Sequence, residues 1–248
     1  MTRHFLLAVL MLFALASFNV GCRAHYVTPN QAADLDMIPS PNIRETFAMQ
    51  PAAPFPARLA VIRVQAPEFR SRSRDADDDS KYSVVFTRDR ETDASVRQLS
   101  EMDMVAGVAS INRLVTPAVL RRDADLRQAA AAVHADLLLL YTFDTRSRIN
   151  DHEVGPLGLI TLGFLPNQTA EVTTTASAVI MDVRTGFVYG LAEASAERSQ
   201  LTNYWSSHDA VEDCRVKTES ESLEKLVPEV QAVWAGILRE HTNGKTAG

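Results

Sequence analysis

Asp123-Ala-Asp-Leu-Arg-Gln-Ala-Ala-Ala-Ala-Val-His-Ala-Asp-Leu-Leu-Leu-Leu-Tyr-Thr-Phe-Asp-Thr145 decides the fold. Leu126, Ala129, Ala130 and Val133 recur at the spacing of one helical face. Asp123 and Asp125 stand where a cap and first-turn acids belong. Leu137 to Tyr141 then runs without polar alternation, as a strand covered on both faces does. Such a strand lies inside a sheet, so other elements flank it on every side. The prediction is an α+β (α/β) domain: one mixed sheet of about five or six strands with helices packed on it.

The flanking sequence supplies those elements. Leu59 to Val64 reads as a strand, and so does Tyr82 to Thr87. Between them lies a charged surface connection with Arg70, Arg72 and Arg74 followed by Asp75, Asp77, Asp78 and Asp79. Thr92 to Met104 reads as a helix with Val96, Leu99 and Met102 on one face, closed by Gly107 as a left-handed cap. Val108 to Val115 is expected to be a strand. Thr116-Pro117 breaks it, with room for a short helix through Leu120. Asp144 to Val154 is polar and is expected to leave the sheet. Thr169–Val183 and Phe187–Ser195 form a hairpin around Asp182-Val-Arg-Thr-Gly186, where Gly186 takes positive φ. Phe187, Tyr189 and Leu191 alternate on one face. His208 to Lys217 reads as a polar, marginal helix. From Leu223 to Leu238 the apolar positions align on one face, interrupted by Pro228. Asn243 to Gly248 is expected to fray.

The N-terminus reads as an address. Arg3 and His4 precede the apolar run Phe5–Phe18, which Gly21-Cys22 follows: a basic n-region, an apolar h-region and a small-residue cleavage site. About 14 apolar residues fall short of the roughly 20 that span a bilayer. Val20-Gly21-Cys22 resembles the bacterial lipoprotein signal, although Asn19 stands where an aliphatic residue is usual. The resemblance implies cleavage after residue 21 and acylation (palmitate among the chains) of Cys22. Arg23, rather than Asp, next to the cysteine implies the outer membrane. The alternative is a secretory signal cut after Ala24, releasing a soluble periplasmic or secreted protein. Six of eleven prolines fall in residues 25–57, the composition of a semi-extended tether. Ile38, Ile43 and Phe47 could pack on the domain, which leaves the boundary of the tether soft. The expected organisation is a signal (1–21), a tether (22–57), one α/β domain (58–241) and a frayed end (242–248).

Composition limits the task. Net charge is −6. Removing residues 1–21 takes away only Arg3 and leaves 24 basic against 31 acidic side chains, or −7. A nucleic-acid binder normally shows a basic face, so nucleic acid is not an expected partner. The two cysteines, Cys22 and Cys214, make no disulfide framework if Cys22 is acylated. Asp75, Asp77 and Asp79 match the first three positions of a calcium loop, but Ser80 and Phe86 replace its Gly and bidentate Glu, so no metal is expected. Gly-x-Ser-x-Gly, the phosphate-binding loop and His-Glu-x-x-His are missing, and His152-Glu153 lacks a second His. His208 lies six residues before Cys214, off its helical face. The acids Asp209 and Asp213 disfavour a thiolate. His134 suits the C-terminal end of the helix dipole. Apolar Gly155–Pro166 reads as a loop on the core or against a second subunit, or else as a segment touching a membrane. Asn167-Gln-Thr169 is a formal glycosylation sequon.

Arg58-Leu-Ala-Val-Ile-Arg63, Leu126-Arg-Gln-Ala-Ala130 leading to Ala135–Leu139, and Ala178–Gly186 resemble a group of bacterial envelope lipoproteins. The group comprises the curli-secretion lipoprotein, the lipoprotein activators of penicillin-binding proteins, and the N-terminal domain of the Tol–Pal translocation protein. The resemblance implies a mixed sheet with packed helices and a non-catalytic role in binding or assembly. The expected partners are membrane lipid through Cys22 and an envelope protein or a second copy of the chain. No cofactor and no small-molecule substrate are expected. A pore-type secretion component and an unrecognised hydrolase or thiol enzyme are the alternatives.

Overall fold

The strand built on Leu137–Tyr141 lies in the middle of the sheet. In a computed structural model, which describes residues 43–66, 80–81, 83–85, 90–151, 167–203 and 206–246, that strand is β4 (Leu137–Asp151). It pairs in parallel with β1 (Ala57–Gln65) and in antiparallel with β5 (Gln168–Asp182). β6 (Val188–Thr202) closes the order at one side. At the other, β1 is edged by β3 (Val105–Ser110) along Ala57–Val61 and by β2 (Ser83–Val85) along Arg63–Gln65. The six strands form one mixed sheet, with the described helices α1 (Ile43–Ala48), α2 (Arg90–Ser100), α3 (Asp123–Ala132) and α4 (Ser207–Thr246) around it. The expected α+β class is what the chain adopts.

Alternation explains the two cores. Leu137, Leu139, Tyr141 and Phe143 point to one face, where they meet Leu223, Leu226, Val230 and Trp234 of α4. Leu138 and Leu140 point to the other, against Leu126, Ala129 and Ala130 of α3. Period two inside the strand thus sends successive leucines into opposite layers. The small alanines of α3 bring its backbone close to the sheet. Asp125 reaches back to accept from the N–H groups of Arg121 (2.8 Å) and Arg122 (2.9 Å) at the helix start. Asp123, expected as the cap, is the first helical residue instead and pairs with Arg127 at 2.9 Å.

Several expectations are corrected. β4 does not leave the sheet at Asp144. It pairs with β5 through Asp151 because Thr145 is buried on the α4 side while Arg146 stays in solvent. The hairpin is longer than its apolar pattern, and β6 continues past Ser195 to Thr202. α2 ends at Ser100, and the left-handed residue is Met104 (φ 61°), not Gly107, which lies inside β3. β3 starts at Val105 rather than Val108, and turns and bends replace the expected helix after Pro117. α4 is a single helix from Ser207, and Pro228 lies within it without ending it. Ile43 (75% exposed) and Phe47 (84%) do not pack on the domain, whereas Phe55 does, 5.6 Å from the Trp234 ring. Ala57 already belongs to β1. His134 takes a left-handed backbone (φ 56°) just beyond α3.

At about 1.5 Å per residue the 40 residues of α4 reach roughly 60 Å. Its C-terminal half covers the shared core. Its first turns lie over the far ends of β5 and β6. There Ala210, Val211 and Cys214 meet Ala170 and Val172 in a small separate core. Between α2 and α4 a cavity of about 20 Å³ is lined by Val61, Leu99, Leu139 and Leu223 among others. That is space for about one water, and its apolar walls keep such a cavity dry.

Candidate functional site

Cys22, the acidic run Asp75–Asp79, His152-Glu153 and Gly155–Pro166 lie outside the described residues. Cys214 is buried, with Sγ 3.7 Å from Gln200 Oε1, and burial pushes its thiol upward, away from the thiolate. His208, Asp209 and Asp213 are exposed. Asn167 sits just before β5, half-buried. Among the described residues no cluster of His, Cys, Asp and Glu has the makings of a metal site. Also among them, no helix is long and apolar enough to cross a membrane.

Asp182 is the first polar centre that sequence reading undervalued. It appears there as a turn opener, and it is also a fully buried anchor. Its Oδ1 accepts from the N–H groups of Arg184 (2.8 Å) and Thr185 (3.0 Å), which tightens the β5–β6 turn. Its Oδ2 accepts from the Ala52 N–H at 2.7 Å and from the Tyr189 hydroxyl at 3.3 Å. The Tyr189 oxygen in turn accepts from the Ala53 N–H at 3.4 Å. Burial first, and then the nearby carboxylate, push Tyr189 up to about 12. One carboxylate thus ties the incoming chain to the hairpin turn. Asp182→Asn keeps an acceptor for the turn but sets an amide against the Ala52 N–H. The expected cost is about 1–2 kcal/mol. Amide hydrogen exchange should show Ala52 and Ala53 losing protection while β4 keeps it.

The second centre is a polar seam under α4. Arg63, from an otherwise apolar strand, pairs with Glu219 at 3.2 Å and lies 4.5 Å over the Phe143 ring. Arg215 holds Glu219 at 2.6 Å and also bonds Glu212. The Arg215 hydrogen bond holds Glu212 below the usual carboxylate range. A lowered folded-state pKa means that this contribution is complete above the unfolded value of about 4.3 and is lost as pH falls through the folded one. Beside it, Thr145, Thr174 and Thr218 form a hydroxyl chain (3.0 and 2.8 Å) that ends on the Cys214 carbonyl. Gln65 extends β1 in another way. Its side-chain oxygen accepts from Phe143 N–H (2.9 Å) and its amide donates to Phe143 C=O (3.1 Å), so a side chain makes the next rung of the β1–β4 ladder. The only sequence signal for this seam is the polar intrusion Arg63…Gln65 in an apolar strand. Its two guanidiniums and its carboxylates pair across the seam and join α4 to β1, while Arg63 Nε is buried without a hydrogen bond among the described residues.

The third feature is what the sheet presents outward. From Gln168 to Ala178 the residues of β5 alternate buried and open, and no described helix covers the open side. That face is polar and of mixed charge, with Arg148 directly opposite Glu171 and Thr175 bonded to Ser195 at 2.9 Å. β6 borders it as a long edge strand with no partner on its outer side among the described residues. Gly190 lets β6 pass under α4, since a Cβ there would come 2.5 Å from Val233 Cγ1. Gly190→Ala is therefore expected to destabilise by about 1–3 kcal/mol through overpacking. Gly190→Ala combined with Val233→Ala should recover part of that loss, read as the urea midpoint.

No protein-family model matches the chain. No curated protein matches it either. Among solved structures, an uncharacterised lipoprotein B from Nitrosomonas europaea is similar at 12% identity and a TM-score of 0.36, over 76% of this chain and 90% of that one. Protein XCC0632 from Xanthomonas campestris, of family DUF330, is similar at 13% identity and TM-score 0.36, over 84% and 95%. A putative lipoprotein from Caulobacter crescentus reaches 14% identity and TM-score 0.26, over 46% and 81%. Scores this low say nothing of what this chain does.

Proposed function

We propose that this chain is a bacterial envelope lipoprotein, acylated on Cys22 and held on the periplasmic face of the outer membrane. It works there without catalysis, by binding a protein partner or a second copy of itself. The carrying observation is the basic start, the short apolar run and Val20-Gly21-Cys22, followed by the proline-dense stretch. Several acyl chains on one terminus anchor a protein stably where one does not. The likeness to the curli-secretion, penicillin-binding-protein-activator and Tol–Pal group is consistent with such a role, as is a broad polar sheet face whose edge strand has no outer partner among the described residues. Metabolic labelling with a clickable fatty acid tests the anchor: the wild-type chain should be labelled and Cys22→Ser should not. Label on both, or on neither, defeats the reading. Crosslinking in envelope fractions tests the binding role, and recovery of the bare monomer alone counts against it.

A second reading draws on the apolar stretch 155–166, which lies in the connection from β4 to β5. It is an oligomeric secretion component touching the membrane through that stretch. Sizing the detergent-extracted protein separates the two, since a monomer ends the second reading.

A further inference from the structure

β6 is long, free on its outer side among the described residues, and patterned for a partner of its own sequence. Two large apolar side chains stand exposed on it, Leu191 (63%) and Leu201 (59%), on the face away from α4. Edge strands of monomeric proteins are usually blunted by proline, inward charge or bulges. Residues 191–202 contain no proline and no lysine, and the hairpin's one bulge lies before them, opposite Ile180/Met181. Lys225 reaches the strand from α4, donating to the Ser195 carbonyl at 3.4 Å while held by Glu221 at 3.0 Å. A ladder bond would replace that long contact.

The register of self-pairing is constrained. Two copies joined edge to edge about a two-fold axis normal to the sheet keep like faces together, so the axis passes through one residue. Centring it on Glu193, Glu197 or Arg198 sets that charge against itself. Centring it on Ser195 opposes Glu193 to Glu197 twice. Centring it on Ala194 sets Leu191 against Glu197. Only Ala196, among positions 193–198, opposes Leu191 to Leu201 and each glutamate to a serine, Glu193 to Ser199 and Glu197 to Ser195. Directly opposed like charges destabilise a sheet and apolar pairs stabilise it.

We propose that β6 pairs antiparallel with β6 of a second copy about Ala196, joining two sheets into one and covering both exposed leucines of each chain. This deepens the binding reading and rests on it, since it names the partner surface.

The test uses the full-length protein extracted in detergent. Leu191→Cys/Leu201→Cys in one chain should give a disulfide-linked dimer as the main band under mild oxidation. The two positions lie ten residues apart on an extended strand, so they are too distant to close within one copy. Each single variant should remain at the monomer band. Leu191→Lys/Leu201→Lys should convert the extracted dimer to monomer while the far-UV circular dichroism stays that of the folded chain. Single variants that crosslink as readily as the double variant overturn the register. A double variant that stays uncrosslinked, together with a wild-type monomer on sizing, overturns the pairing. Crosslinking of either cysteine to a different protein also overturns it, yet leaves the binding reading of the domain standing. Loss of fatty-acid label in the wild type would strike the anchor and leave the β6 result untouched.

Discussion

Leu138→Ala is expected to lower the unfolding free energy by about 3–5 kcal/mol, the upper part of the range for a buried leucine. Leu138 is fully buried on the α3 side of the central strand. Its neighbours across the ladder are Ala60 on β1 and Met181 on β5. Both flanking strands are themselves held by further pairing, and α3 lies over the site on small alanines. Little around the lost isobutyl group is free to collapse into the space, so the cavity persists. The urea midpoint should fall with an unchanged slope. Leu138→Met, which keeps the volume, should cost less than about 1.5 kcal/mol. Leu114→Ala, at a position 93% exposed and away from β6, should stay within about 0.5 kcal/mol. A Leu138→Ala variant as stable as Leu114→Ala would remove the central strand from its role.

The next largest effect is expected for Glu219→Ala, about 3 kcal/mol. Side-chain exposure is 13% for Arg63 and 10% for Glu219, so both charges are largely withdrawn from water. Deleting Glu219 takes a carboxylate away from the largely buried guanidinium of Arg63 over the Phe143 ring, and takes one of two carboxylates from Arg215, which keeps Glu212. Breaking a buried pair costs more than the pair is worth, because the survivor keeps its desolvation penalty. Arg63→Met with Glu219→Leu, which removes both charges and restores apolar volume, should therefore cost markedly less than Glu219→Ala. A double-mutant cycle on urea midpoints measures the difference. If the double variant is the worse of the two, the seam contributes net stability as an ion pair and the desolvation account fails.

These expectations separate two kinds of information in the chain. Leu137–Leu140 was legible as a doubly covered strand because continuous apolarity reports a strand's own burial. The turn at Asp182–Gly186 was legible because positive φ at Gly186 and the Asp opener are local chemistry. The C-terminal half of α4 was legible because Leu223, Leu226, Val230 and Trp234 bury against one layer. Its N-terminal half was legible as a helix but not as a packed one. Thr218 and Glu219 there are polar yet buried, satisfied by Thr174 and by Arg63 from strands far away in sequence. The far half of β4 was misread for the same reason, since Thr145 looks solvated until Thr174 and α4 are placed beside it.

The sequence alone determined the local elements, the hairpin and its turn, the central strand, and an N-terminus written like an export signal. Tertiary structure decided how far β4 and β6 extend, that α4 runs unbroken through Pro228, and that Asp182 pins the incoming chain. It also decided that, among the described residues, β6 ends the sheet. Periodicity records only how one segment divides between core and water. A polar group hidden by a distant partner breaks that pattern, and only the fold supplies the partner.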